Sequence, residues 1–362
     1  MSSKLFTAGT IGSLSLKGRA VRSATQDPFG PKDGTVTQAQ LDLHTEIAAT
    51  GVPLIITAYA NISPDGRSTK IQVGFCNEAH YESQKKLVDS VHAAGGKMCL
   101  QLHHAGLNVF FVNSDLEDPR PLGPVGDIDA PNGLKTKEVD AALMDRLVQE
   151  HVTAALKARE IGFDAVQLHC AHGYLLSQFL DPNFNTRTDE YGGSAENRFR
   201  FIRRILVALR EALGADFPIL TKVNTNCAGD ADAAYAEDIL YFCKEFEALG
   251  VNAIELSGYD WIGQGKKQNR NYYIERAKAV KAAVNIPLIL VGGIRNMDDV
   301  NAVFDAGMDY VSMSRPFITQ PDFLQRLEKG EASPCVSCTK CLTLYGKEKR
   351  RCILHDMPEA AE

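Results

Sequence analysis

Short apolar or β-branched runs recur along this chain, and nearly every one is followed by a stretch in which apolar residues return every three or four positions. This strand-then-helix repeat constrains the fold more than any other feature. Successive parallel strands cannot be joined by tight turns and need a helical crossover between them. The strand candidates are Ala20–Thr25, Pro53–Ala60, Lys97–His103, Ala165–His169, Pro218–Asn224, Ala253–Ser257, Pro287–Gly292 and Tyr310–Ser314, eight in all. Helical spacing predicts helices over Gln38–Thr50, Glu78–Ala94, Ala141–Ile161, Glu196–Leu213, Ala233–Leu249, Ile274–Val284 and Met297–Ala306. Most of these run into a glycine (Gly51, Gly95, Gly162, Gly214, Gly250, Gly307), the residue best suited to a left-handed helix terminus. Near-continuous runs such as Leu288-Ile289-Leu290-Val291 suit strands buried on both faces.

The repeat predicts an α/β fold, an eight-stranded parallel β/α (TIM) barrel, and strand number leaves an open doubly wound sheet as the alternative. The polar residues favour the barrel. Thr25, Gln101 with His103, His169 with His172, Lys222, Gly292 with Gly293, and Ser314 with Arg315 all fall at the C-terminal ends of strands. Catalytic and phosphate-binding groups of β/α barrels collect on that rim, the phosphate usually after strands seven and eight. Of the 362 residues, 1–330 are read as one barrel and 331–362 as an extension too short for a second domain. Leu107–Lys137, rich in Pro, Gly and Asp, reads as a long loop over the rim.

Composition narrows the function classes. With 44% hydrophobic and 23% charged residues, the chain can bury a sizeable core. A net charge of −6, with Lys347–Arg351 as the one short basic stretch, argues against a nucleic-acid partner. Met1–Lys17 lacks the pattern of a secretory signal and no run of about 18 apolar residues occurs, so a soluble cytoplasmic protein with no membrane partner is expected. The oligomeric state is left open.

The most informative stretch begins His169-Cys170-Ala171-His172-Gly173-Tyr174 and continues through Asn185-Thr186-Arg187 and Gly192-Gly193-Ser194 to Arg200. Two imidazoles and a phenol at the mouth of a strand can donate hydrogen bonds to one carbonyl oxygen and supply a proton beside it. The plainer readings of His169 and His172 are metal ligation or loop hydrogen bonding. A zinc hydrolase is poorly supported, because Cys170, the nearest further ligand, should point to the opposite face of its strand.

This stretch resembles the signature of the old yellow enzyme family of FMN-dependent NAD(P)H oxidoreductases, and the similarity runs from Arg19–Thr25 to Ser314-Arg315-Pro316-Phe317. The resemblance implies bound FMN, NAD(P)H as reductant and a small enone-type substrate. It implies that His169 and His172 hold the substrate carbonyl while Tyr174 gives a proton to the α carbon. Ser23, Ala24 and Thr25 then lie beside the flavin, Gln101 reads its pyrimidine edge, and Lys222 stands near N1 and O2. Gly292, Gly293, Ser314 and Arg315 correspond to the phosphate cradle. After strand two many members have an acidic residue or Gly at the Ala58 position and a small residue at Tyr59. A backbone contact is assigned to Ala58, the bulk of Tyr59 counting against the second.

Five of the nine cysteines (Cys76, Cys99, Cys170, Cys227, Cys243) are scattered among core-like segments, as expected of free thiols. The other four form Cys335-x2-Cys338-x2-Cys341-x10-Cys352, a spacing that suits an iron-sulfur cluster or zinc. Larger members of the resembled family carry a four-iron cluster there, with a spacing that is somewhat longer. The leading expectation is therefore reduction of the C=C bond of α,β-unsaturated carbonyl compounds. The alternatives are a flavin dehydrogenase of the amine-dehydrogenase type using an iron-sulfur centre, and a metal-dependent aldolase or hydrolase on the same barrel.

Overall fold

The computed structural model describes residues 3–26, 29–30, 33–343 and 352–354, so the whole basic stretch Lys347–Arg351 and the end of the extension lie outside the described residues. Eight parallel strands close into a barrel: β1 (Ala20–Arg22), β2 (Leu54–Ile56), β3 (Lys97–His103), β4 (Ala165–Cys170), β5 (Ile219–Asn224), β6 (Ala253–Ser257), β7 (Leu288–Val291) and β8 (Tyr310–Met313). Each pairs with its neighbours in sequence, β8 pairs with β1, and the β2–β3 pairing completes the ring. The open-sheet alternative is thereby set aside.

The crossovers are α1 (Gln38–Ala49), α2 (Glu78–Ala93), α3 (Ala141–Ile161), α4 (Ala195–Leu213), α5 (Asp232–Ala248), α6 (Ile274–Lys281) and α7 (Met297–Asp305). In α4 the apolar positions Phe199, Ile202, Ile205, Leu206, Leu209 and Leu213 are buried at helical spacing against the sheet. Each such side chain contributes about 1.5–3 kcal/mol relative to exposure. The six helix-ending glycines all take positive φ, between 77° and 104°.

Two features were not legible in the repeat. A hairpin, Gly9–Ile11 with Leu14–Leu16, plugs the bottom of the barrel. Its Ile11, Leu14 and Leu16 pack with Val21, Leu54, Ile56, Cys99, Ala165, Leu220, Ala253, Ile289 and Tyr310 in a separate apolar cluster. The second feature is the segment after the helix Phe323–Glu328. It does not leave the barrel but returns to the rim, where Ser333 N–H donates to the Arg295 carbonyl at 2.8 Å. Among the described residues no helix is long and apolar enough to cross a membrane.

Candidate active site

Strand register sets the first layer of the site. Lys222 on β5 lies level with His169 on β4 and with Glu255 on β6, while Gln101 on β3 is level with Gln167 on β4. At the top of β1 the ladder ends at Arg22 rather than at Thr25, because Ser23, Ala24 and Thr25 turn to line a cavity of about 570 Å³. That cavity is also lined by Gln101, His169, His172, Tyr174, Lys222, Gly292, Ser314 and Arg315. A smaller cavity of about 40 Å³ shares Val291, Gly292, Ser314 and Arg315 with it and adds Gly293, Arg295 and Ser337. Of the predicted cofactor contacts, Ala58 lines neither cavity and its side chain belongs to the apolar core; Tyr59 lines the large one.

The imidazole and phenol groups come together as the motif suggests. The rings of His169 and His172 are 5.3 Å apart, and His169 and Tyr174 are 5.1 Å apart. His172 adopts φ 62°, its N–H held by Asn224 Oδ1 at 3.0 Å and its Nε2 bonded to Ser257 Oγ at 2.8 Å. Burial, reinforced by neighbouring positive charge, holds both histidines well below the ordinary imidazole pKa, so they are neutral. Burial pushes the Tyr174 phenol up, opposed by hydrogen bonds with Tyr59 and Ser68. Cys170 faces away into the core, its thiol pushed up to about 12 by burial.

Behind these groups lies a buried polar network. Glu255 is fully buried; Ser23 Oγ and Ser312 Oγ donate to its Oε1 at 2.7 and 2.8 Å, and Gln167 Nε2 donates to its Oε2 at 3.0 Å. Lys222 Nζ lies 3.5 Å from the same carboxylate and donates to Ser23 Oγ at 2.8 Å. Burial pulls the Lys222 pKa down, and Glu255 opposes that pull. Gln101 Nε2 donates to Gln167 Oε1 at 2.7 Å, which leaves Gln101 Oε1 buried with no partner. At the cavity rim Thr25 Oγ1 is bonded to Ser314 Oγ at 2.6 Å and donates to Ser23 O.

Gly292 and Gly293 take φ of 133° and 75°, and a side chain on Gly293 would meet the Tyr272 ring at 2.4 Å. Beside them Arg295 Nη2 donates to Ser337 Oγ at 2.9 Å and Arg315 Nη1 to Ser337 O at 3.2 Å. Glu255, Gln167, Arg295 and Ser337 escaped the sequence reading. The signal for the first was present: a carboxylate in Ala253-Ile254-Glu255-Leu256 is as anomalous as the lysine in Leu220-Thr221-Lys222-Val223. Ser337 had none, since it reaches Arg295 from 42 residues away.

The four C-terminal cysteines sit at this end. Cys335 and Cys352 are buried, Cys338 and Cys341 half-buried, and Cys341 lines the large cavity. Burial pushes the Cys341 thiol up to about 11. Their chemistry suits a cluster or zinc, but among the described residues no three metal-ligating side chains gather as a metal site. The other three thiols are nonetheless near enough to Cys341 to push its pKa up further.

Fold and rim together define a β/α-barrel enzyme with a cofactor-sized cavity. The chain belongs to the NADH:flavin oxidoreductase / NADH oxidase family, whose model matches residues 4–333. It is 31% identical to an NADPH dehydrogenase of Bacillus subtilis, covering 91% of this chain and 95% of that protein. It is 28% identical to a 4,4'-dithiodibutanoate disulfide reductase of Rhodococcus erythropolis, covering 97% and 95%. Among solved structures it resembles morphinone reductase in complex with tetrahydroNAD, with 25% identity, a TM-score of 0.76 and 95% of each chain covered. It is thus an FMN-dependent NAD(P)H oxidoreductase of the old yellow enzyme type.

The residues present fit FMN. An acceptor without a partner at Gln101 Oε1, on a residue that lines the same cavity as Lys222, suits an imide N–H next to a carbonyl that gains charge on reduction. The glycine turn with Arg295 and Arg315 suits a phosphate.

Proposed function

We propose that this oxidoreductase reduces the C=C bond of α,β-unsaturated carbonyl compounds. The observation that supports this most is the convergence of two neutral imidazoles and one protonated phenol on the cavity that also exposes Gln101 and Lys222. FMN, when bound in this cavity, would supply hydride chemistry between NAD(P)H and the electron-poor β carbon. His169 and His172 each present an N–H to the substrate carbonyl oxygen. Because both are neutral, they stabilise the enolate charge that develops without competing for the acidic proton, an effect typically worth a few kcal/mol.

Tyr174 keeps its proton until it is needed, and gives it to the α carbon as charge arrives there. Its hydrogen bonds to Tyr59 and Ser68 stabilise the phenolate left behind. His103, edge-on to the Tyr174 ring with 4.3 Å between centroids, holds that ring upright. Ser257 and Asn224 fix the unusual backbone and ring orientation of His172.

Tyr174→Phe tests the assignment. Rapid mixing of the reduced variant with an enone should show reoxidation slowed by about 10²–10⁴-fold, the usual worth of a positioned acid. Flavin reduction by NAD(P)H should stay within a few-fold of wild type. Equal slowing of both half-reactions would overturn the role of Tyr174 as proton donor.

A further inference from the structure

We infer that Glu255 is a positioning residue that sets how much positive charge the inner end of the cavity presents to the flavin. This rests on reading Gln101 and Lys222 as the groups that meet the pyrimidine edge. Among the described residues none that lines the cavity is a carboxylate, yet Glu255 stands directly behind the wall, fully buried. Three donors from three strands converge on it: Ser23 at the end of β1, Ser312 on β8 and Gln167 on β4. Lys222 of β5 is its fourth neighbour, at 3.5 Å.

Two consequences follow from this placement. First, the carboxylate offsets the ammonium. Lys222 also lies near the buried Arg22 guanidinium, so without Glu255 this end of the barrel would carry two positive charges and no negative one among these three groups. Hydrogen bonds at both oxygens compensate this carboxylate for the water it lost on burial. Second, Glu255 orients Gln101 at one remove. By accepting from Gln167 Nε2 it turns Gln167 Oε1 toward Gln101, which commits the Gln101 amide to donate there and leaves its Oε1 as a buried acceptor without a partner on a residue that lines the cavity. The carboxylate thus fixes both the charge and the donor–acceptor order on the wall. Removing its charge should favour every flavin state that carries negative charge toward N1 and O2.

Sulfite reports on this without turnover. Its sulfur lone pair forms a bond to N5 of oxidised flavin, and the displaced electron pair settles on the N1–C2=O side. For purified holoenzyme, Glu255→Gln should tighten sulfite binding by about tenfold or more, since one buried charge several ångströms away is worth over 1 kcal/mol. The midpoint potential, measured against a reference dye, should move positive. Lys222→Met should do the reverse, weakening sulfite by about tenfold.

If Lys222→Met shifts as expected and Glu255→Gln stays within about twofold of wild type, the carboxylate is only structural and the inference falls alone. If Lys222→Met is silent as well, the pyrimidine edge is misplaced and the underlying reading fails with it. Should Glu255→Gln not retain FMN, Ser312→Ala decides the matter. It removes one donor, leaves the carboxylate less neutralised, and should weaken sulfite by about threefold, the worth of one hydrogen bond. An unchanged constant would overturn the proposal.

Discussion

The two ends of the cavity are built differently. The inner end is made of side chains on barrel strands, Ser23 just past β1, Gln101 on β3 and Lys222 on β5, each held by a partner that is itself buried in the barrel. The other end, proposed to take the phosphate, is made of backbone and loops. Gly292 and Gly293 turn after β7, Ser314 and Arg315 open a short helix after β8, and Ser337 arrives from a segment beyond the last barrel strand. Strand register alone fixes the inner end once the barrel closes. The outer end is complete only when a later piece of chain folds back, so the cavity has one rigid and one assembled half, and on the proposed reading FMN would span both.

Acid should separate the two halves most strongly. His169 and His172, which line the cavity, and His103 beside His169 are all held well below the ordinary imidazole pKa by burial, and neither ring nitrogen of His103 has a hydrogen-bond partner. His151 and His44 add to this: each bonds a helix carbonyl through Nδ1 and buries Nε2 without an acceptor. Burial pushes them down to about 4 and about 3 from 6.5. Because the folded values lie below the unfolded one, the unfolded chain binds more protons beneath pH 6.5. Stability is therefore complete above that pH and falls as pH drops. A shift the size of that for His151 corresponds to on the order of 3 kcal/mol. Urea midpoints recorded from pH 7.5 to 5 should hold above pH 6.5 and fall below it, by about the same amount in Arg315→Ala, since arginine does not titrate there. A flat midpoint would show that these imidazoles are not buried neutral.

Arg315→Ala attacks the other half. Its guanidinium lines both cavities, donates to Ser337 O and lies 5.5 Å above the Trp261 ring. Charged hydrogen bonds are worth about 1.5–3 kcal/mol, so FMN affinity of the apoprotein should fall by about 10–10²-fold in fluorescence titration. Riboflavin, which has no phosphate, should bind wild type and variant alike. An equal loss for both would place Arg315 away from the phosphate.

How far each half could be read from the sequence follows the same division. His169, His172, Gln101 and Lys222 lie on or directly after regular strands, where polar residues in an apolar run stand out; Tyr174 and the roles of all five come from the motif and its resemblance. Gly292, Gly293, Ser314 and Arg315 were legible by the same rule. Glu255 is a strand residue too, but it sits in mid-strand behind the wall, where only its burial reveals it. Ser337 depends on a tertiary return that no periodicity encodes. The hairpin plug was missed for a related reason: its two three-residue strands are too short to show alternation, and its partners are the inward side chains at the base of the barrel. Ala58, by contrast, was placed from the resemblance, and its side chain packs into the core while Tyr59 next to it faces the cavity.

Ser337→Ala is the finest cut between the halves. The Ser337 hydroxyl accepts from Arg295 Nη2 at 2.9 Å and stands 3.5 Å from the Tyr272 hydroxyl. The residue is already in left-handed backbone, φ 53°, where alanine is no worse accommodated than serine, so the substitution removes the hydroxyl and little else. Arg295 then loses the anchor that aims it at the small cavity, and the loss should equal one hydrogen bond, about 0.5–1.5 kcal/mol. FMN should dissociate about three- to tenfold faster by stopped-flow, while riboflavin release and the Tyr174-dependent half-reaction stay as in wild type. Were FMN release unchanged, the returning segment would only cover the phosphate end. Were riboflavin release to quicken equally, Ser337 would act on the whole cavity, and the division between a strand-built half and an assembled half would not hold.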